Sequence, residues 1–261
     1  MLGDDLRDQA AALLRAAEHE RSPVEPLVVR FPGIDVVDAY QIQLSNIEHR
    51  TARGARVIGH KVGLSSLAMQ RMMGVDEPDY GHLLDDMALS ETDPVWVGRY
   101  CWPRIEVEVG FVLGADLPGF DCTESDVLGA TEAIVPSIEL IDSRIKDWRI
   151  GLADTIADNA SSAGFVLGAA RVCPSDVDLR TVDVVLYRGD EEVVRGRSDA
   201  VLGNPATAVA WLARKVASFG VRLEAGHIVL PGSCTRAVDV APGQRFRAEF
   251  GGLGTVSVSF S

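Results

Sequence analysis

The stretch PRIEVEVGFVLG, residues 103–114, alternates apolar and acidic side chains. Side chains of an extended strand point to opposite faces with a period of two, so Ile105, Val107 and Val109 share one face and Glu106 and Glu108 share the other. Same-face carboxylates at i and i+2 stand about 7 Å apart, and their repulsion disfavours a sheet unless water or a cation screens it. A second apolar run, IVPSIELIDSRI (134–145), places Glu139 inside another candidate strand, where a lone buried charge is costly. Three carboxylates on strand-like segments suit a hard divalent cation with oxygen ligands, Mg2+ or Mn2+, with positions left for water and substrate. A plain solvated strand face is the competing reading of the same spacing.

These strands belong to a chain of 261 residues, 47% hydrophobic and 24% charged, which suffices for one large core with a smaller appendage. A net charge of −13 argues against nucleic acid and anionic membrane surfaces as partners. No apolar run approaches the ~20 residues of a membrane span. The opening MLGDDLRDQAAALLRAAEHERS carries acids where a secretory signal has a basic leader. Cys101, Cys122, Cys173 and Cys234 are scattered without metal-like spacing and read as reduced thiols of a cytoplasmic protein.

The pattern divides the chain into a helical N-terminal portion, residues 1–55, and a strand-rich catalytic body, residues 56–261. Leu6, Ala10, Leu13, Leu14 and Ala17 follow helical spacing, as do Val37, Tyr40, Leu44 and Ile47 before Gly54. RVIGHKVGL (56–64) reads as a strand, SSLAMQRMMG (65–74) as a short helix and PDYGHLL (78–84) as a loop. Thr123 with Asp126 opens a helix over about 124–133, and Asn204-Pro205 opens another that Gly220 closes. HIVLPGS (227–233), QRFRAEFGGLG (244–254) and TVSVSF (255–260) read as late antiparallel strands. The expected class is α+β.

In RVIGHKVGL, Lys61 shares a face with Gly59 and Gly63, so another molecule can approach it closely. An edge lysine that discourages strand pairing is the alternative. VDEPDYGHL offers Asp76 and Asp79 in a turn-like segment. DTIADNASSAG packs Asp154, Asp158, Asn159, Ser161 and Ser162 too densely for a plain strand, and dense polar loops are where sites are built; Asp158, Asn159 and Ser161 are the substrate-binding candidates. His60 and His82 carry no assignment. Arg144 and Lys146 are the nearest basic residues, on the face that alternation gives to Asp142 and Trp148.

Taken together, GHKVGLSS, GVDEPDYGHL, PRIEVEVGFVL, IELIDSRIKDW, DTIADNASSAGFVLG and NPATAVAWLARK resemble the 2-oxopent-4-enoate (2-hydroxypentadienoate) hydratases of the fumarylacetoacetate-hydrolase-like superfamily. The likeness runs from about residue 5 to the C-terminus in the family's order, and extends to the 2-hydroxyhexa-2,4-dienoate hydratases of sterol-ring degradation. It implies a distorted β-roll body with a helical N-terminal portion, and a divalent cation held by Glu106, Glu108 and Glu139. It also implies catalytic positions at Lys61 and Asp79. The implied substrate is a 2-hydroxy-2,4-dienoate from meta-cleavage, hydrated to a 4-hydroxy-2-oxo acid that an aldolase would consume, by a homo-oligomer, pentamer or decamer.

Two other readings compete. 4-Oxalocrotonate decarboxylase shares the scaffold and the metal. A non-catalytic metal-binding module would leave the Lys61 strand without purpose, and the chain lacks a D-x-D-x-D-G calcium loop. Beyond Lys61, the candidate site segments offer acids, small residues and apolar residues. The expected substrate is therefore a monocarboxylate, with little CO2 released from 2-oxohex-3-enedioate.

Overall fold

Capping and apolar spacing build the N-terminal helices as expected. The computed structural model describes residues 1–66, 70, 71 and 74–261, with α1 at Asp4–Glu20, α2 at Leu27–Arg30 and α3 at Val36–Thr51. α1 buries Ala10, Ala11, Leu14 and Ala17, the stripe that three- and four-residue spacing creates. Asp35 and Asp38 form a reciprocal capping box at the start of α3. The buried Asp38 carboxylate also pairs with Arg7 at 2.8 Å, which ties α1 to α3.

The body holds eleven strands among the described residues, β1 (Val57–Gly63), β2 (Asp79–Leu84), β3 (Arg104–Leu113), β4 (Thr131–Ile141), β5 (Ser162–Leu167), β6 (Asp183–Arg188), β7 (Glu191–Arg197), β8 (Ile228–Leu230), β9 (Val238–Asp239), β10 (Arg245–Phe250) and β11 (Gly254–Ser259). One sheet runs β2-β1-β8-β3-β4-β5, with β9 paired to β3, and a second runs β11-β10-β6-β7. Three further helices, α4 (Glu124–Ala130), α5 (Leu152–Ala157) and α6 (Pro205–Ala217), punctuate the strands. The result is an α+β fold, a curled sheet with helices at its N-terminal side. One core cluster joins Leu14 and Tyr40 of the helices to Val62, Val107 and Ile138 of the first sheet and Phe246 of the second.

Three local expectations change, and a fourth is not tested. PDYGHLL is a strand: β2 is buried at all six positions, and a strand covered on both faces shows no alternation to read. β8 is parallel to β1 and antiparallel to β3, a non-local pairing that short-range pattern does not encode. Gly59 permits it, because a Cβ there would collide with the Ile228 carbonyl. The helix expected over 124–133 stops at Ala130, and Thr131 begins β4. The short helix expected over 65–74 falls largely outside the described residues.

Buried histidines bridge β1 and β2. His60 and His82 are register partners with ring centroids 4.8 Å apart. The Gln43 amide donates to Tyr80 O and Ile156 O, so its Oε1 faces His82 Nδ1 at 2.8 Å as an acceptor. Burial lowers His82 to about 4, and burial with the neighbouring histidines holds His60 well below its usual value. An unfolded chain takes up these protons near 6.5, so the stabilisation is complete above that pH and is lost as pH falls toward the folded value.

The raised carboxylates described below act in the opposite sense, so the comparison that isolates His82 is between wild type and His82→Gln. Between pH 7 and pH 5, wild type should lose about 2 kcal/mol of unfolding free energy relative to the variant. Urea denaturation at the two pH values measures it, and parallel pH profiles would refute it.

Candidate active site

The β3–β4 ladder sets Glu106 directly opposite Glu139 and Glu108 opposite Ser137. Like charges opposite one another destabilise a sheet. Here the ligand oxygens of Glu106, Glu108 and Glu139 all lie within 4.8 Å of one another, and Glu108 and Glu139 are fully buried. Burial raises all three carboxyl groups, and for Glu108 the charges of Glu139 and Glu106 add to it. Glu108 Oε2 accepts from Gly232 N at 2.7 Å, and Glu139 Oε1 accepts from Ser162 Oγ at 2.7 Å. Of the second oxygens, Glu108 Oε1 has no hydrogen-bond partner among the described residues, whereas Glu139 Oε2 faces the Lys61 ammonium.

Lys61 enters from β1, two strands from β3 with β8 between. Its side chain is 2% exposed, and Nζ lies 3.3 Å from Glu139 Oε2 while donating to Ala160 O at 2.9 Å. Burial alone would discharge the amine. The carboxylates of Glu139, Asp79, Glu106 and Glu108 outweigh it and hold the ammonium above the usual lysine range. Asp79 opposes Gly63 in the β1–β2 register. Its Oδ2 accepts from Thr155 Oγ1 at 2.5 Å, and Oδ1 is buried without a partner.

Lys61, Asp79, Glu106, Thr155 and Ser161 line one cavity of about 230 Å3, together with Arg104 and Trp148. The wall carrying Ser161 has an unusual backbone. Asn159, Ala160 and Ser161 have φ of 53°, 50° and 58°, three successive left-handed non-glycine residues, each costing of order 1 kcal/mol. Side chains on both sides hold it there. The buried Arg144 guanidinium donates to Asp158 Oδ1 and to Asp158 O, each at 2.5 Å. The Asn159 amide exchanges two hydrogen bonds with the His82 backbone, at 2.8 and 2.9 Å.

This geometry separates the three loop candidates. Ser161 lines the pocket, with Oγ buried and unpartnered. Asp158 and Asn159 instead border a separate cavity of about 330 Å3 between α1, α3 and α5, because Arg144 and His82 engage their polar atoms. They position the wall and do not line the pocket. Arg144 and Lys146 also depart from expectation. The strand ends at Ile141, so Arg144 turns inward to Asp158, and Lys146 reaches the surface to pair with Glu25 at 3.6 Å.

The pocket contains three residues that sequence reasoning missed: Thr155, Arg104 and Trp148. Arg104 had a usable signal, since it stands two residues before Glu106 and therefore on the same strand face. Trp148 had none, because it sits with Asp147 in a left-handed pair at φ of 54° and 57°.

Over residues 65–260 the chain matches the fumarylacetoacetate (FAA) hydrolase C-terminal family. It is 45% identical over 254 residues to 2-keto-4-pentenoate hydratase 1 of Dechloromonas aromatica (strain RCB), covering 97% of this chain and 97% of the relative. It is 39% identical over 258 residues to 2-hydroxyhexa-2,4-dienoate hydratase of Comamonas testosteroni, covering 98% and 97%. Among solved structures it superposes on 4-oxalocrotonate decarboxylase from Pseudomonas putida G7, complexed with magnesium and adipate. The TM-score is 0.97 and the identity 35%, covering 100% of this chain and 99% of that one.

Gly63 is the small residue on which the Lys61–Asp79 juxtaposition depends. A Cβ there would collide with Asp79 Oδ1 and stand 3.0 Å from Lys61 Nζ. Gly63→Ala should therefore keep the fold and lower turnover by at least about tenfold, as expected when groups lining a reactive pocket are displaced by a fraction of an ångström or more. Circular dichroism beside steady-state kinetics tests this, and unchanged kinetics would refute it.

Proposed function

Because the chain belongs to the fumarylacetoacetate hydrolase family, we propose that it is a metal-dependent hydro-lyase of the 2-oxopent-4-enoate hydratase type. It adds water to a 2-hydroxy-2,4-dienoate, pentadienoate or hexadienoate, to give a 4-hydroxy-2-oxo acid in meta-cleavage degradation. The observation that carries the reading is the carboxylate triad, assembled on paired strands, whose Glu106 lines one pocket with Lys61 and Asp79.

The donor set fits a hard divalent cation. Three carboxylates converge, the buried Glu108 Oε1 has no partner, and Glu106 opens onto a pocket that gives substrate and water access. Glu106, Glu108 and Glu139 would hold the ion, which we assign as Mg2+ or Mn2+. When bound, such an ion acts as a Lewis acid toward a 2-oxo acid's carboxylate and C2 oxygen.

The chain's own groups do the rest. Lys61 meets the substrate's negative charge and the enolate that develops from it. Asp79, fixed by the Thr155 hydroxyl, carries the proton. The C2 hydroxyl loses its proton and C5 gains one, which gives an α,β-unsaturated ketone. Water then adds at C4, with its second proton going to C3. Ser161 Oγ donates to a substrate or water oxygen.

We place the protein in the cytoplasm, in aromatic-ring or steroid-ring catabolism, upstream of an aldolase that cleaves 4-hydroxy-2-oxo acids. We also propose a homo-oligomer, pentameric or decameric. Trp96 and Trp102, each 58% exposed, support a surface that association covers. One observation favours a second reading. Arg104 gives the pocket a basic group that the sequence reading had not found, so 4-oxalocrotonate-type decarboxylation of a dioate does not lack a partner for a second carboxylate.

Glu106→Gln, Glu108→Gln and Glu139→Gln should each weaken Mn2+ binding to chelator-treated protein and cut turnover by at least ~100-fold. Calorimetry supplies the binding readout, and full activity of Glu106→Gln in chelator-treated protein would remove the metal role. Lys61→Met should keep Mn2+ affinity and lose most turnover. Unfolding of that variant, with unchanged activity per folded molecule, would make Lys61 structural. Measured side by side, 4-hydroxy-2-oxo acid should be the main product and CO2 a minor one; dominant CO2 release from 2-oxohex-3-enedioate would overturn the hydratase reading.

A further inference from the structure

The segment 158–162 is a wall shared by two cavities. Ala160 and Ser161 border the catalytic pocket, whereas Asp158, Asn159 and Ser162 border the cavity of about 330 Å3 between α1, α3 and α5. The second cavity is the larger of the two, and the hydration chemistry makes no use of it. Its lining carries four arginines, Arg15, Arg50, Arg53 and Arg144, against two acids, Glu18 and Asp158. The chain as a whole has 38 acids and a net charge of −13, so its general field repels anions. A basic recess runs against that field.

Ordinary structural roles explain half of these arginines. Arg144 pairs with Asp158 at 2.5 Å and Arg50 with Asp86 at 2.6 Å. Arg50 and His49 also occupy the last turn of α3, and His19 that of α1, where positive charge complements the helix dipole. Arg15 lies ahead of the last turn of α1 and Arg53 lies beyond the end of α3, so neither has that role. Arg15 donates to the neutral Asn46 Oδ1 at 2.6 Å and Arg53 to His49 Nε2. Neither meets a carboxylate among the described residues. Desolvation, with the charges of Arg53 and Arg15, holds the His49 imidazole below its usual value, the response of a base to positive charge that nothing offsets. Two guanidiniums with unused donors at the mouth of a cavity are suited to an oxyanion, which each can grip with two parallel hydrogen bonds.

The floor of this cavity is joined to the catalytic groups. Arg144 is 6% exposed, and its Nη1 keeps only a 3.4 Å contact with Ser162 O, the weakest of its bonds. Its Nε and Nη2 hold Asp158, and Asp158 leads directly into the left-handed residues Asn159, Ala160 and Ser161. From that wall, Ala160 O accepts from Lys61 Nζ and Ser162 Oγ donates to Glu139 Oε1. An anion that engages Arg144 competes with Asp158 and Ser162 O for the guanidinium. It thereby loosens the wall on which Lys61 and Glu139 depend.

We propose that this cavity is a second binding site, for a small oxyanion, a carboxylate or a phosphate, held by Arg15 and Arg53 and reaching Arg144. Occupation draws Arg144 away from the wall, so turnover falls while substrate affinity is kept. The effect on turnover rests on the hydratase reading; the binding itself does not.

Calorimetry on the Mg2+-loaded protein, with inorganic phosphate and succinate as separate probes, tests the binding. At least one probe should bind, and Arg15→Gln and Arg53→Gln should each weaken it at least about tenfold. The binding should survive in Arg195→Gln, a change on the exposed edge strand β7, and in Glu108→Gln, which separates this site from the metal. Tighter phosphate binding identifies a phosphate ligand, and tighter succinate binding a carboxylate. In kinetics with 2-hydroxypenta-2,4-dienoate, the saturating probe should lower kcat at least about threefold and leave KM within about twofold. KCl of matched ionic strength should not do so, and Arg53→Gln should relieve the inhibition. Absence of binding by both probes would overturn the site, as would equal loss in Arg195→Gln or dependence on Glu108 alone. A change of subunit number in Arg53→Gln without anion binding would give the cavity to a second copy of the chain and also overturn it. Inhibition that raises KM and leaves kcat would overturn the coupling. Failure of the hydratase reading would show differently, as anion binding that needs Arg15 and Arg53 with no dienoate turnover to modulate.

Discussion

A buried glutamate and a half-buried one facing each other across a hydrogen-bonded ladder are the constraint around which the molecule is arranged. Nothing in an antiparallel sheet favours Glu106 opposite Glu139, and a third acid, Glu108, deepens the repulsion. A buried lysine offsets part of it. To reach them, Lys61 must come from β1, which requires β8 to pair parallel to β1 and antiparallel to β3. Gly59 makes that approach possible, and Gly63 leaves the room in which Asp79 and the ammonium meet.

Stability alone does not account for such an arrangement. Buried ion pairs recover the cost of desolvation only with good geometry and satisfied remaining atoms, and here the buried Glu108 Oε1 is left without a partner. The backbone adds strain at residues 159–161 and again at 147–148. The Arg144–Asp158 pair and the large shared core offset it. Uncompensated charge, an open oxygen and most of the left-handed side-chain-bearing residues gather around one pocket, with Arg21 and Leu202 the left-handed residues that lie away from it. That concentration is the physical mark of a reactive site.

The sequence disclosed those parts of the site that lie on half-patterned strands. Period-two alternation was enough to put Glu106 and Glu108 on one face, an apolar run enough to mark Glu139, and flanking glycines enough to single out Lys61. The misses have particular causes. β2 is buried on both faces, so its residues looked like a loop. The partner of β8 is remote in sequence. Asp158 and Asn159 were grouped with Ser161 because composition carries no sign of three consecutive left-handed residues, which turn the first two away from the pocket and the third toward it. Arg104 was the avoidable omission, since the rule that paired the glutamates also includes it.

The partner that Lys61 receives from Ala160 is a main-chain carbonyl. An acceptor of that kind is encoded by the path of the chain and by no codon in particular. Point substitutions at residue 160 leave the oxygen in place as long as the path survives, whereas an inserted or deleted residue nearby moves it at once. Over evolutionary time this segment should tolerate changes of letter far better than changes of length.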